Sequence, residues 1–152
     1  MSGNIVIEKI KEADLPAIKR LLLELMDAIE NTEGFDIEQS VENCRIMLNY
    51  PGHYMLVARD NDNVLGFVNF TSRRVIMHPN PSGLIDELVV TKASRGSGIG
   101  RKLMLAAIDK CRQLGCGEVE VSTEKSNKNA REFYKALGFE EDAVLLEIDL
   151  ED

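Results

Sequence analysis

The stretch from Leu88 to Met104, LVVTKASRGSGIGRKLM, constrains this chain more than any other. Branched apolar residues at its start predict a strand, and the spacing after Gly100 is that of a helix. Three glycines in five positions, Gly96, Gly98 and Gly100, leave the main chain bare at the junction, so something can approach it closely. Amides at a helix start have no acceptor one turn back, and the helix dipole adds partial positive charge there. Such a junction is a natural cradle for linked phosphates, with Arg95, Arg101 and Lys102 adding charge. A glycine-rich turn with a solvated basic end is the plainer explanation of the same residues.

Spacing separates the known phosphate loops. A Walker loop needs Gly-Lys and then Ser or Thr, whereas Gly100 is followed by Arg101, Lys102 and Leu103. A dinucleotide fingerprint, Gly-x-Gly-x-x-Gly, would end on Arg101 or Leu103, depending on whether it starts at Gly96 or Gly98. Both fail. Arg-x-x-Gly-x-Gly remains, written here as Arg95, Gly98 and Gly100.

The rest of the chain supplies elements around this junction. Ile5 to Ile10 alternates as a strand does, and Asp14 is placed to cap a helix with Pro16 in its first turn. Leu15, Ile18, Leu21, Leu22, Leu25, Met26 and Ile29 give that helix one broad apolar face. After a break over Asn31 to Gly34, the residues Ile37, Val41, Cys44, Met47 and Leu48 mark a second helix, closed by Tyr50-Pro51-Gly52. Strands over Tyr54 to Arg59 and Val64 to Thr71 flank the hairpin signal Asp60-Asn61-Asp62-Asn63. Arg73 to Ser82 is a loop, Leu84 to Val90 a fourth strand, and the third helix ends near Leu114 before Gly115 and Gly117. Val119 to Ser122 is a strand, Asn127 to Leu137 a helix capped by Gly138, and Ala143 to Leu150 a final strand. The order β-α-α-β-β-β-α-β-α-β predicts a mixed α/β fold with a sheet partly antiparallel and partly parallel.

A chain of 152 residues with 44% hydrophobic and 29% charged residues fits one soluble domain over residues 1–152. No apolar run approaches the ~20 residues that cross a bilayer. Met1-Ser2-Gly3-Asn4 has no basic-then-apolar leader pattern, so a cytoplasmic location and no membrane partner are expected. A net charge of −8 argues against general nucleic-acid binding. Cys44, Cys111 and Cys116 are odd in number and make no ligand cluster, while His53 and His78 stand far apart. No metal is expected, and Cys44 and Cys111 read as buried structural thiols.

Two motifs together resemble the GNAT superfamily of N-acetyltransferases. Leu88-Val89-Val90 leading to Arg95-x-x-Gly98-x-Gly100 is similar to that family's acetyl-CoA signature. Asn127-Lys128-Asn129-Ala130-Arg131-Glu132-Phe133-Tyr134, followed by Leu137-Gly138-Phe139, is similar to its late helix. The resemblance covers nearly the whole chain in element order; Thr91-Lys92 departs from the Asp-Pro often found there. It implies a GNAT-like fold with about four helices around a central twisted sheet. It also implies acetyl-CoA as the acyl-donor cosubstrate, with acetyl transfer to a primary amine by direct attack in a ternary complex.

Under that resemblance, the cofactor would meet the main chain at Leu88, Val89 and Val90 and the amides of Arg95, Gly96, Ser97, Gly98, Ile99, Gly100 and Arg101. The fourth and fifth strands would splay apart to admit it. Asn127 would cap the late helix and bond the pantetheine arm. Tyr134 would be the general acid, since a phenol with pKa ~10 can protonate a leaving thiolate near ~8.5. A base must take a proton from the ammonium; Asp86 is the first choice, Glu87 the reserve and Glu120 a weaker third. In a regular strand only one of Asp86 and Glu87 can face the cleft.

The acceptor would lie between the region Glu33 to Ser40 and the loop Arg73 to Ser82. A small cationic amine is expected from the acid surplus; a protein N-terminus or lysine is the alternative. A non-catalytic acyl-CoA-binding module is the rival class. Members of the family often pair through edge or terminal strands, and Val144 to Leu150 could form such an edge, which leaves a homodimer open.

Overall fold

The computed structural model describes residues 4–29 and 32–151. A five-stranded sheet in the order β1-β2-β3-β4-β5 is built from β1 (Ile5–Lys9), β2 (His53–Asp60), β3 (Asn63–Arg73), β4 (Ser82–Val90) and β5 (Glu118–Val121). The first four strands pair antiparallel with their neighbours, and β5 pairs parallel with β4. The helices are α1 (Leu15–Ala28), α2 (Ile37–Met47), α3 (Ile99–Gln113) and α4 (Lys128–Ala136). The expected mixed sheet and four helices are therefore present. Part of the expected break at Asn31 lies outside the described residues.

Each face of the sheet has its own core. On one side Leu15, Ile18 and Leu21 of α1 and Cys44 of α2 pack against Met55, Val57, Phe67 and Val89. On the other, Ile99, Leu103, Met104 and Ala107 of α3 pack against Ala58, Val68, Phe70 and Ile85. Apolar residues three and four apart on each helix produce these faces. Cys44 and Cys111 are buried as expected, and burial pushes their thiols up to about 11 and about 12, so neither is ionised at neutral pH.

Two local expectations are corrected. Asp14 stands at the start of α1 but makes no capping bond to it; its carboxylate instead accepts from the Lys11 amide and from Arg59 Nη2, both at 2.9 Å. A partly buried cation beside it competes successfully with the helix amides, because a charge-assisted bond is the stronger one. The final strand is the second correction. Residues 143–150 pair with no strand among the described residues, and Val144, Leu146, Ile148 and Leu150 are 83–87% exposed. Their alternation gives the segment an apolar face, yet strand formation also needs a neighbour for its backbone groups.

Candidate active site

The junction after β4 has the shape its glycines require. Gly96 and Gly98 take left-handed φ values of +81° and +85°, which side chains rarely adopt. Gly98 precedes α3, and the Lys102 amide is bonded to its carbonyl at 3.0 Å. The amides of Ile99, Gly100 and Arg101 lie ahead of that bond and have no acceptor one helical turn back. Ser97 donates its hydroxyl to the Ser94 carbonyl, which steadies the turn. Arg95, Gly96, Ser97, Gly98, Arg101 and Lys102 are all exposed.

A second tie comes from α1. Glu24 accepts from Thr91 Oγ1 at 2.9 Å and from the Lys92 amide at 3.0 Å. Those bonds, the Lys92 amide first, hold the Glu24 carboxyl below its usual range. Thr91-Lys92, where the sequence departs from the family pattern, is thus fastened by a side chain 67 residues away. Nothing local in the sequence signals this link.

β4 and β5 do part. Their pairing runs from Ser82–Glu118 to Ile85–Val121 and stops there, so Asp86 to Val90 have no strand beside them on that edge. Main-chain groups of Leu88, Val89 and Val90 therefore border an opening in the sheet. Gly100 sits against it, close enough that a Cβ would lie 3.6 Å from Phe133 Cζ and 3.7 Å from Val90 Cγ2. Junction, open strand and α4 thus meet at one place.

Tyr134 lies on α4 beside Phe133 and Phe139, with ring centroids 5.4 and 5.9 Å away. It is half-buried, and burial raises its pKa, so the phenol keeps its proton through the neutral range. Asn127 caps α4 as expected, accepting from the Ala130 amide at 3.1 Å.

The carboxylates are where the sequence expectation fails. Phe70 of β3 faces Ile85 and Asn69 faces Glu87, so Asp86 is an extra residue inserted opposite the Asn69–Phe70 step. Ile85 and Val89, four residues apart, would share a face of an unbroken strand. Instead Ile85 packs on the α3 side and Val89 on the α1/α2 side. The bulge places Asp86 and Glu87 together on the α1/α2 side, and both are solvent-accessible. The expectation that only one of them can face the cleft is therefore overturned.

Their surroundings act on both charges. Burial raises the Asp86 carboxyl and the nearby His53 pulls it back partway. Burial also raises Glu87; the hydrogen bond from Asn69 opposes this, and the Asp86 charge adds to it. Asn69, 3% exposed, donates from Nδ2 to Glu87 Oε2 at 2.5 Å. Its Oδ1 and the Nδ1 of His53 are buried without a partner among the described residues. His53 also borders a shallow pocket of about 180 Å³ with Asn43, Ile46, Met47 and Tyr50. Asn69 and His53 were missed from sequence, since neither belongs to a motif. Glu120 lies apart on β5, accepting from Ser82 Oγ at 3.3 Å.

Of the expected acceptor walls, the region Glu33 to Ser40 is not part of this pocket, whose α2 residues are Asn43, Ile46 and Met47. The loop before β4 lines a separate pocket of about 230 Å³ together with Gly117 and Glu118, while its Ile76 and Met77 stand exposed. Among the described residues no three His, Cys, Asp or Glu side chains group as a metal site, and no helix is long and apolar enough to cross a membrane.

Comparison with known proteins gives this geometry a family. The chain is 36% identical over 86 residues to N-alpha-acetyltransferase 30 of Schizosaccharomyces pombe, covering 57% of each chain. It is 35% identical over 89 residues to the aminoalkylphosphonate N-acetyltransferase of Salmonella typhimurium, covering 59% of this chain and 57% of that one. It thus spans a little over half the length of these two curated relatives. Among solved structures, an aminoglycoside acetyltransferase from an uncultured soil metagenomic sample superposes with a TM-score of 0.80 at 27% identity, over 97% of both chains. A transcriptional regulator from Bacillus halodurans shares the fold, with a TM-score of 0.84 at 22% identity, over 97% of this chain and all of the other. The acetyltransferase (GNAT) family model matches residues 15–139, most of the chain, and so the chain with this bulged, parted sheet belongs to the GNAT family.

Proposed function

We propose that the protein is an acetyl-CoA-dependent N-acetyltransferase that acts on a primary amine by direct attack. The single observation that carries this reading is the meeting of the parted β4 edge, the amides at the start of α3 and Phe133 of α4, the residue before Tyr134, around one opening. The pyrophosphate of coenzyme A would bind the amides of Gly98, Ile99, Gly100 and Arg101, with Arg95 and Arg101 nearby. The pantetheine arm would run along Leu88 to Val90 toward Asn127, and the thioester would lie in the gap between the strands.

The amine would enter over Asp86 and Glu87. A primary ammonium offers three N–H donors, and this floor offers acceptors in both carboxylates, which are exposed. One carboxylate, directly or through water, takes a proton and frees the lone pair. Attack on the thioester carbon forms the C–N bond and places negative charge on the carbonyl oxygen, which a β4 amide would stabilise. The intermediate collapses by breaking the C–S bond; Tyr134 gives its proton to the thiolate sulfur, and the amide nitrogen loses its remaining excess proton. That last proton passes to solvent, which then reprotonates the phenoxide and takes back the proton held by the carboxylate.

A small cationic amine is the acceptor class favoured by two carboxylates beside a pocket of about 180 Å³. A peptide amino terminus is the second reading, supported by exposed Ile46 and Tyr50 at the pocket, which suit an apolar first side chain. Release of free thiol from acetyl-CoA in the presence of an amine panel tests the proposal and ranks the two. Binding of acetyl-CoA without thiol release from any amine would favour a non-catalytic acyl-CoA-binding module. Absence of acetyl-CoA binding would overturn the reading entirely.

A further inference from the structure

The turn that ends α3 brings two cysteines together. Gly115 takes a left-handed φ of +81° just past the helix. Its amide donates to the Arg112 carbonyl at 3.0 Å, and the Cys116 amide donates to the Cys111 carbonyl at 2.9 Å. This pair of bonds closes a helix on a left-handed residue and turns the side chains at Cys111 and Cys116 toward one another. With ordinary bond lengths and angles, the second bond holds the two Cα atoms no more than about 6.8 Å apart, within what a disulfide spans.

The sheet beneath locates both sulfurs. Cys116 Sγ lies 3.6 Å from Ser72 Oγ of β3. Cys111 Sγ rests on Gly83 of β4, where an added Cβ would come within 2.6 Å of it, so the missing side chain is what makes room for the sulfur. Ser72 and Gly83 stand directly opposite each other in the β3–β4 register, and the two thiols therefore lie over adjoining positions. Their access differs. Cys111 is wholly buried, whereas Cys116 is partly exposed. Burial first, and then the charge of Cys116 and its hydrogen bond, push the Cys111 thiol up to about 12. None of these residues belongs to the acetyl-transfer site proposed above.

We propose that Cys111 and Cys116 form a redox modification site that takes hydrogen peroxide as its oxidant and closes to a disulfide without rearranging the fold. The partial cover over Cys116 admits an oxidant this small, and burial bars Cys111 from reacting first. Cys116 gives its proton to solvent, and its sulfur attacks one peroxide oxygen. The O–O bond breaks, the departing hydroxide takes up a proton as water, and Cys116 is left as a sulfenic acid. The Cys111 sulfur, losing its proton in turn, attacks the Cys116 sulfur; the S–O bond breaks and a second water leaves. Two thiols are thus oxidised by two electrons while one peroxide is reduced to two waters. A dithiol such as dithiothreitol reverses the change by exchange through a mixed disulfide.

The test treats the reduced full chain with one equivalent of hydrogen peroxide, quenches it, and counts thiols after unfolding. The expected result is a fall from three thiols to one, with circular dichroism unchanged and all three restored by dithiothreitol. Trypsin cuts after Lys110 and Arg112, so mass spectrometry should find the peptide Cys111-Arg112 joined to the peptide Gln113 to Lys125, with two hydrogens lost. Cys111→Ser should stall Cys116 as a sulfenic acid that dimedone captures, and Cys116→Ser should leave the Cys111 thiol intact. The wild-type result stands without either variant. Three outcomes overturn the proposal: no thiol lost, Cys116 oxidised while Cys111 stays free, or a link that uses Cys44 or joins two chains.

Discussion

Asn69 Nδ2 donates to Glu87 Oε2 across the β3–β4 pair, and Asp86 stands beside them as the one residue of β4 without a counterpart. The amide and the neighbouring carboxylate act on Glu87 in opposite senses: Asn69 favours its charged form and Asp86 disfavours it.

The first prediction follows from those opposing effects. If Glu87 is the base, kcat/KM falls at low pH as it protonates. Asn69→Leu removes a bond to the charged form, so the acid limb moves to higher pH. Asp86→Asn removes a like charge, so the limb moves to lower pH. Glu87→Gln lowers kcat/KM by about 10²- to 10⁴-fold. A pH profile unmoved by either neighbour's substitution excludes Glu87 as the base.

Tyr134→Phe deletes the hydroxyl that the proposed reaction uses as proton donor and leaves the ring against Phe133 and Phe139. It lowers kcat by about 10²- to 10⁴-fold. Calorimetric affinity for coenzyme A stays unchanged, since in the proposed reaction the hydroxyl serves the leaving sulfur only. Equal turnover by the two proteins would remove Tyr134 from the mechanism.

Two glycines should separate strain from crowding. At Gly98 an added Cβ meets no atom within 4 Å, so Gly98→Ala bears only the left-handed conformation, at roughly 1–2 kcal/mol. At Gly66 the same atom would lie 2.7 Å from the Val89 carbonyl oxygen, and the strands must shift. Urea unfolding should show the greater loss for Gly66→Ala, while coenzyme A affinity should fall further for Gly98→Ala.

Arg59 joins β2 to both Glu8, at 2.6 Å, and the buried Asp14, at 2.9 Å. Burial opposes ionisation of Asp14, but the hydrogen bonds from Arg59 and the Lys11 amide and the Arg59 charge outweigh it, so its pKa is lowered. This depressed carboxyl contributes stability above its unfolded pKa of ~3.9, and the contribution is lost as pH falls through the folded value. Arg59→Met leaves the buried carboxylate unpaired and costs about 3–5 kcal/mol. The midpoint of acid unfolding, followed by circular dichroism, should then move to higher pH.

Sequence reasoning reached what local chemistry dictates. Gly98 ahead of a helix, Asn127 at a cap and the apolar spacing of α1 and α3 each act within a few residues. What it could not reach depends on partners distant in sequence. The bulge at Asp86 is a property of how β3 and β4 register, so Asp86 and Glu87 read as alternating when they are not. Glu24 reaches the Thr91-Lys92 loop only once α1 has packed on the sheet, and Arg59 draws Asp14 away from capping for the same reason. Residues 143–150 show the limit from the other side: alternation tells which side chains want cover, and nothing of where the cover is.

The end of β4–β5 pairing at Ile85–Val121 carries a practical consequence for anyone mapping this protein by mutation. A slot walled by peptide groups is nearly invisible to alanine scanning, because replacing Val90 or Leu88 alters packing and spares the N–H. Exchanging single peptide bonds for esters along Leu88 to Val90 would instead delete one donor at a time and leave every side chain as it is.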